Sequence, residues 1–239
     1  MIGPDGAQLG VGVIVPYDMA TDRELWRWTP PEVTLLLTRT PPVPMAVTVA
    51  QARALGDAAV VGAAARDLAS PGPGVCAYLC TSGSFVHGLA GERALVAAML
   101  ASGIPHAVTS SGALVEALRL AGVGTVAVAT PYDERITALL AAYLADSGFT
   151  VTGSTQLGLA GAIAAVPPAE VAALIRRADH PAAQAIVVSC TNLHTYDVIA
   201  ELEAELGKPV ISASQATLWA ALRRIGRRLV GPGQWLVEA

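Results

Sequence analysis

Short apolar runs alternate along the chain with longer stretches in which apolar residues recur at helical spacing. The short runs lack the strict alternation of apolar and polar residues that a half-exposed strand shows, as is typical of parallel strands covered on both faces. Strands are predicted at residues 11–15, 34–37, 75–79, 125–129, 186–189 and 210–212. Helices are predicted at residues 47–67, 93–102, 113–121, 135–147, 168–178 and 198–206. Because strands and helices take turns, the pattern predicts an α/β fold with parallel sheets.

Two sequence patterns occur twice, each time at the end of a predicted strand. VGVIVPYD (11–18) is similar to TVAVATPYD (125–133), and YLCTS (78–82) is similar to VSCTN (188–192). The two prolines are 115 residues apart and the two cysteines 110, so the pairs keep nearly the same offset. The repeat predicts two similar α/β halves, and ligands of parallel sheets bind beyond the carboxyl ends of the strands. We expect an N-terminal half at residues 1–107 with 214–239, and a C-terminal half at 108–213.

Two cysteines stand at the strand ends where this repeat predicts a ligand site. If the halves face each other, Cys80 and Cys190 flank one cleft from opposite sides. Backbone N–H groups in the turn after each strand would stabilise a thiolate, which could remove a proton or attack carbon. Most free cysteines are small buried hydrophobes, and Cys76, in the middle of a strand, is expected to be one. That interpretation stays open for Cys80 and Cys190 as well.

Composition, charge and cysteine spacing exclude several classes of protein. The chain has 239 residues, of which 53% are hydrophobic and 14% charged, with a net charge of −4, so a large folded core is expected and disorder is not. There is no basic stripe, no apolar run of about 20 residues and no signal-peptide pattern at the start, so neither nucleic acid nor a membrane is expected as a partner. Three cysteines without a CxxC spacing predict neither a disulfide framework nor a zinc site. A cytoplasmic protein with reduced thiols is the expectation.

The residues around both cysteines resemble the aspartate/glutamate racemase superfamily. The nearest branch holds maleate cis-trans isomerases, arylmalonate decarboxylases and the ectoine-utilisation proteins. The resemblance covers nearly the whole chain and is carried by GVIVP (12–16), YLCTS (78–82), VTSSGALVEALRLAG (108–122), VAVATPYDERI (126–136), VVSCTN (187–192) and GKPVISASQATLW (207–219). It implies two Rossmann-like halves related by a pseudo-twofold axis, with the active site in the cleft between them. It also implies no metal and no cofactor, a small-molecule carboxylate as substrate, and a homo-oligomer.

The resemblance also implies roles for individual residues. Cys80 takes the part of the cysteine that attacks an alkene or removes a proton, Cys190 that of its proton-handling partner, and Tyr132 that of a tyrosine that contacts the substrate carboxylate. Decarboxylases of the branch carry glycine where Cys80 stands. A cofactor-independent isomerase of maleate-isomerase or racemase type is therefore favoured. The alternatives are a decarboxylase that uses Cys190 as proton donor, and a ligand-binding descendant of the fold without catalysis.

The segment after the first strand departs from the maleate isomerases. Met19 stands where those enzymes have an asparagine that helps to hold a carboxylate, and it could line a pocket for a substrate with an apolar arm. Asp18 could bind a substrate amine, since a carboxylate would repel a dicarboxylate. It could equally be a turn residue after Pro16. Both interpretations of Asp18 stay open.

Further polar residues are candidates for holding the substrate carboxylate. Thr81, Ser82, Thr191 and Asn192 could donate hydrogen bonds from hydroxyl, amide and backbone groups to a developing enediolate. Their alternative is ordinary turn chemistry. Ser111 precedes a predicted helix, where it could belong to an anion site at the helix N-terminus or serve as a serine N-cap.

Overall fold

Two separate parallel sheets organise the part of the chain that the computed structural model describes, residues 9–239. Their strands are β1 (Leu9–Val15), β2 (Val33–Arg39), β3 (Val75–Tyr78), β4 (Ala107–Thr109), β5 (Thr125–Thr130), β6 (Thr150–Gln156), β7 (Ala185–Val188) and β8 (Val210–Ser212). The first sheet has the order β2-β1-β3-β4 and the second β6-β5-β7-β8, and every neighbouring pair is parallel. Each half thus repeats the same strand order. The predicted α/β fold with two similar halves is confirmed.

Helices cover the sheets and connect their strands. They are α1 (Asp22–Trp28), α2 (Val49–Leu55), α3 (Ala58–Ala69), α4 (Thr81–Phe85), α5 (Gly88–Leu100), α6 (Ser110–Leu120), α7 (Glu134–Asp146), α8 (Pro168–Ala178), α9 (Tyr196–Leu206), α10 (Ala213–Arg224) and α11 (Trp235–Glu238), with a short 3₁₀ turn at Ile163–Ala165. The central strands β3 and β7 are buried along their whole length, as strands covered on both faces must be. Within residues 9–239, none of the helices combines the length and the apolar character that crossing a bilayer requires.

The strand order places both repeated patterns at corresponding positions. In each half, Pro-Tyr-Asp follows the second strand of the order and Cys-Thr follows the third, and these two strands are direct neighbours. Their carboxyl ends therefore lie side by side at one edge of each sheet. The predicted limits of the halves stay a prediction; β4 crosses the first limit and α10 begins beside the second.

The single helix predicted at residues 47–67 is wrong, because the chain breaks it after Leu55. Gly56 ends α2 and Asp57 begins the next helix, accepting hydrogen bonds from the N–H groups of Ala59 at 2.7 Å and Val60 at 3.4 Å. A side chain at Gly56 would place its Cβ 2.5 Å from the carbonyl oxygen of Gly83. The break thus lets α2 lie directly against the start of α4, where Cys80 is found.

Two strands were not predicted, for different reasons. The edge strand β6 has the sequence TVTGSTQ and is mostly exposed or half-buried, so it carries no apolar run. The strand β4 is only three residues long and is followed at once by α6. An exposed strand and a three-residue strand both lack the apolar pattern by which strands are recognised in a single sequence.

Asp57 provides a test of the helix break. Replacing it by alanine leaves two N–H groups of the first turn of α3 without an acceptor, so Asp57→Ala is expected to lower the free energy of unfolding by about 0.5–2 kcal/mol. Urea unfolding followed by circular dichroism measures this. The control is Asp67→Ala, an exposed position near the other end of the same helix, with an expected change within about 0.5 kcal/mol. Equal losses in the two variants would contradict the assignment of Asp57 as the cap.

Candidate active site

A small cavity lies where the carboxyl ends of the two sheets meet. Its lining residues come from both halves: Pro16, Asp18, Val47, Gln51, Leu55, Cys80, Thr81, Ser82, Tyr132, Ile163, Cys190, Thr191 and Asn192. The cavity volume is about 30 Å³, and the cavity is partly open to solvent. A small molecule bound there would be in contact with most of the lining residues. Among these residues are the two cysteines that sequence repetition singled out.

Cys80 follows β3 and occupies the N-cap position of α4, with 4% of its surface exposed. Burial raises the pKa of its thiol, whereas hydrogen bonds from the Tyr78 hydroxyl, the Gly83 N–H and the Ser82 hydroxyl lower it. A Cβ on Gly83 would lie 2.6 Å from the Tyr78 hydroxyl oxygen and 3.1 Å from the Cys80 sulfur, so glycine is required for this close packing. The Tyr78 hydroxyl has a single proton, and it donates a hydrogen bond to the Leu55 carbonyl at 2.6 Å as well.

Cys190 follows β7 in an unusual backbone conformation, with a φ of 90°. That region is costly for residues with a Cβ, and such strain concentrates at functional sites. Burial raises the pKa of the Cys190 thiol to about 12, although the Asn192 N–H and the Tyr132 hydroxyl hydrogen-bond to it and act in the opposite direction. The charges of Cys80 and Asp18 raise it further, which places both groups in the electrostatic surroundings of Cys190.

Tyr132 lies beside both thiols and is 2% exposed. Burial raises its pKa well above the usual range, with the Cys190 and Cys80 charges acting in the same direction. Its ring packs against Phe85 edge to face, with centroids 6.4 Å apart. The phenol is therefore neutral near pH 7 and serves as a hydrogen-bond donor in the cavity.

Thr81 and Ser82 form the first turn of α4 directly after Cys80, and both line the cavity. The Thr81 hydroxyl oxygen is buried without a hydrogen-bond partner among the described residues. A buried polar atom without a partner is costly, so this hydroxyl is suited to bond a ligand in the cavity. The sequence prediction that these residues hold a carboxylate stays a prediction with this geometry in its favour.

Thr191 and Asn192 use their side chains to join the two halves. The Thr191 hydroxyl donates to the Leu79 carbonyl at 3.1 Å, across from β7 to the end of β3. The Asn192 amide accepts from the Ala20 N–H at 2.9 Å and donates to the Asp18 carbonyl at 3.1 Å. These side-chain groups are therefore already hydrogen-bonded within the protein. The predicted contact of Thr191 and Asn192 with substrate depends on their main-chain groups, such as the Asn192 N–H beside the Cys190 sulfur.

Two of the predicted substrate-binding residues lie outside the cavity lining. Met19 is 3% exposed and belongs to the hydrophobic core. Ser111 is fully buried and its N–H donates to the Ser84 hydroxyl at 3.1 Å. It is not the helix N-cap either, because α6 begins one residue earlier and Thr109 caps it by accepting from the Gly112 N–H.

The sequence did not single out four of the lining residues: Val47, Gln51, Leu55 and Ile163. Gln51 donates to the Tyr17 hydroxyl at 3.1 Å and to the Met45 carbonyl at 3.2 Å. The Val47 N–H donates to the Ala160 carbonyl at 2.9 Å, which links the loops that cover the cavity from each half. No motif marks these positions, since their approach to the thiols results from the break between α2 and α3 and from loop packing.

The lining contains no Lys, Arg or His, and Asp18 is its one carboxylate. His194, four residues past Cys190, lies away from the lining and pairs instead with Glu24, 3.5 Å away, and with the Ala164 carbonyl. Nowhere in residues 9–239 do three His, Cys, Asp or Glu side chains gather as a metal site would need.

The backbone at Cys190 allows a direct test of strain. Glycine tolerates a positive φ, so Cys190→Gly is expected to be more stable than Cys190→Ala by about 1 kcal/mol, measured by urea unfolding. Cys76 is the control, because it lies within the extended backbone of β3, which suits any residue. There Cys76→Gly is expected to be less stable than Cys76→Ala. The same order at both positions would contradict the strained conformation of Cys190.

The surroundings of the two thiols predict different pH profiles of alkylation. Both pKa values are raised, so both cysteines should react slowly with iodoacetamide at pH 7. The pKa of Cys190 is raised to about 12, whereas hydrogen bonds to the Cys80 sulfur keep the rise of the Cys80 pKa smaller. We therefore expect the Cys80 rate to rise at lower pH, with that of Cys190 still rising at pH of about 10, as peptide mass spectrometry can measure. Accessibility alone predicts the opposite order of reactivity, since Cys190 is 9% and Cys80 4% exposed. Coincident profiles would contradict the proposed difference.

Comparison with known proteins gives the family. The family model for arylmalonate decarboxylase matches residues 50–235. An arylmalonate decarboxylase from Bordetella bronchiseptica is 41% identical over 167 residues, which are 68% of this chain and 69% of that protein. A maleate isomerase from Nocardia farcinica is 32% identical over 176 residues, 70% of each chain. A solved structure of the Nocardia farcinica maleate cis-trans isomerase, a cysteine-to-serine mutant with a covalently bound succinylcysteine intermediate, superposes with a TM-score of 0.83 at 25% identity, covering 97% of this chain and 99% of that one. The chain belongs to the arylmalonate decarboxylase family and has maleate isomerases among its relatives.

Proposed function

We propose that this chain is a cofactor-independent isomerase that acts on a small carboxylic acid through Cys80 and Cys190. The observation that carries the proposal is that both thiols line one cavity, each at the end of a strand from a different sheet. A molecule between them is within reach of a nucleophile or base on one side and a proton donor on the other. Chemistry on two faces of a carbon requires such a pair.

The surroundings of the two thiols favour different roles, with Cys80 as the nucleophile or base and Cys190 as the proton donor. Cys80, whose pKa is raised less than that of Cys190, is the more readily deprotonated thiol. As a thiolate it adds to an alkene carbon, and the alkene electron pair moves toward the substrate carboxylate. Rotation about the resulting single bond, followed by loss of the sulfur, gives the other geometric isomer. A relative with a covalently bound succinylcysteine intermediate supports this type of step.

The same pair can also racemise a carbon that carries hydrogen. Cys80 then takes the proton, the electron pair of the C–H bond enters the carboxylate as an enediolate, and the Cys190 thiol returns a proton to the opposite face. Cys190 is suited to this role because its high pKa keeps it protonated. In either reaction the hydroxyls of Thr81, Ser82 and Tyr132 would stabilise the negative charge that develops on the carboxylate.

A second candidate is decarboxylation, favoured by the match to the arylmalonate decarboxylase family and by the relative of that name. There a carbon–carbon bond breaks, CO₂ leaves, and the enediolate takes a proton from Cys190. This reaction needs one thiol, whereas isomerisation or racemisation needs Cys80 as well. The presence of Cys80 in the cavity favours the isomerase.

Replacing Cys80 by glycine tests the proposal. For an isomerase or racemase, Cys80→Gly should lower the rate by about 10³-fold or more, because the nucleophile or base is lost. Maleate isomerisation and incorporation of solvent deuterium are followed by NMR, and CO₂ release from phenylmalonate is measured in parallel. The control is Cys76→Ala, which removes a buried thiol in the middle of β3 and should keep activity within about tenfold. Full CO₂ release by Cys80→Gly, without isomerisation or exchange in the native chain, would establish the decarboxylase instead.

A further inference from the structure

Asp18 is the one carboxylate of the cavity lining, and the residue is partly exposed to solvent. The other ionisable groups of the lining are two thiols and a phenol whose pKa values are raised by burial. The pKa of Asp18 is raised by burial too, but its own N–H and the charge of Arg39 oppose that shift. A cation bound beside the carboxyl group would favour its ionised form further.

The repeated tripeptide Pro-Tyr-Asp has different uses in the two halves. Asp133 caps α7 by accepting the Ile136 N–H at 2.9 Å, so its carboxylate is occupied by the helix. After Asp18 the chain instead makes a turn, in which the Met19 N–H donates to the Pro16 carbonyl at 3.1 Å, and α1 starts only at Asp22. The Asp18 side chain caps no helix and lines the cavity.

The main chain around Asp18 is held from both sides. The Asn192 amide bonds the Asp18 carbonyl and the Ala20 N–H, which fixes the turn beside the Cys190 loop. On the other side, Arg39 donates to the Met19 carbonyl at 2.7 Å. The main chain that carries Asp18 is thus held at the cavity, so ligand binding needs little further ordering of this turn.

No basic side chain of the described residues forms an ion pair with this carboxylate. Arg39 acts on it through its charge, but its guanidinium is bonded to Asp22 at 2.9 Å and to the Met19 carbonyl. A dicarboxylate in this cavity would meet a carboxyl group that no ion pair neutralises, which disfavours its binding.

We propose that Asp18 makes this site select small acids that carry a protonated nitrogen next to the carboxylate, as α-amino acids do. The nitrogen would bind the Asp18 carboxylate, and the substrate carboxylate would bind the neutral hydroxyls of Thr81, Ser82 and Tyr132. This inference rests on the proposed function in that it assigns the substrate class of the same two-cysteine site. The Asp18 carboxylate, which would repel a dicarboxylate, would form a charge-assisted hydrogen bond with an ammonium group.

Matched pairs of acids test this selectivity without knowledge of the natural substrate. L-Phenylalanine is compared with 3-phenylpropionate, and L-aspartate with succinate, by their protection of Cys80 against iodoacetamide, quantified by peptide mass spectrometry. The native chain should be half-protected by the amino acid at a concentration at least about tenfold lower in one pair or both. Asp18→Asn should lower that preference about tenfold or more, and Asp18→Glu, which keeps the charge, should retain part of it.

The matched control is Asp67→Asn, which removes one exposed negative charge remote from the cavity lining and should leave the preference unchanged within twofold. Thermal unfolding checks that each variant is folded. The inference is overturned if the nitrogen-free acids protect the native chain as well as the amino acids do. It is also overturned if Asp18→Asn leaves the preference unchanged, or if none of the four acids protects.

Deuterium exchange separates this inference from the proposed function. Exchange at Cα of the amino acids in D₂O, lost in Cys80→Ser and in Cys190→Ser, supports both. Turnover of nitrogen-free acids alone, dependent on both cysteines and insensitive to Asp18→Asn, leaves the isomerase in place and overturns the selectivity. Protection that depends on Asp18 without any turnover leaves the selectivity in place and removes the isomerase.

Discussion

The side-chain hydrogen bonds between the loop after β1 and the loop after β7 hold the two halves in one arrangement. Asn192 bonds the main chain on either side of Met19, and the Thr21 hydroxyl donates to the Thr191 carbonyl at 2.6 Å. Glu24, in α1, adds a further connection. Its carboxylate accepts hydrogen bonds from the N–H groups of Thr195 and Tyr196 at the start of α9, at 3.1 and 3.4 Å. These buried and half-buried bonds connect groups more than 160 residues apart in sequence, and they determine how the thiol of one half faces that of the other.

Duplication explains where the two cysteines are, and local backbone explains why they differ. Both follow the third strand in the order of their sheet, so topology alone brings them to one edge. Cys80 is extended and starts a helix, where the Gly83 N–H and the Ser82 hydroxyl reach its sulfur. Cys190 has a positive φ, and no helix starts until Tyr196. Equivalent positions thus give one thiol suited to become an anion and one suited to stay protonated.

Sequence patterns predicted the fold well because buried parallel strands produce the strong apolar runs found at β1, β3, β5 and β7. The repeat then placed both cysteines and Tyr132 at one cleft. The patterns failed where burial was partial, as at β6, or where an interruption was local, as at Gly56 and Asp57. The approach of Gln51 and Ile163 to the cavity has no sequence signal, because it depends on loops packing across the halves. Thr191 and Asn192 were predicted as polar residues at the site, but their use as bonds between the halves requires coordinates.

The positive φ of Cys190 carries an evolutionary consequence. At most buried positions, one residue satisfies both the backbone and the function. Selection for stability and selection for function then cannot be told apart. At residue 190 they oppose each other, since glycine would relieve the backbone and the thiol would disappear. A lineage that no longer needed this sulfur would gain stability by losing it. A cysteine at a position whose backbone favours glycine therefore indicates that the side chain itself is needed there.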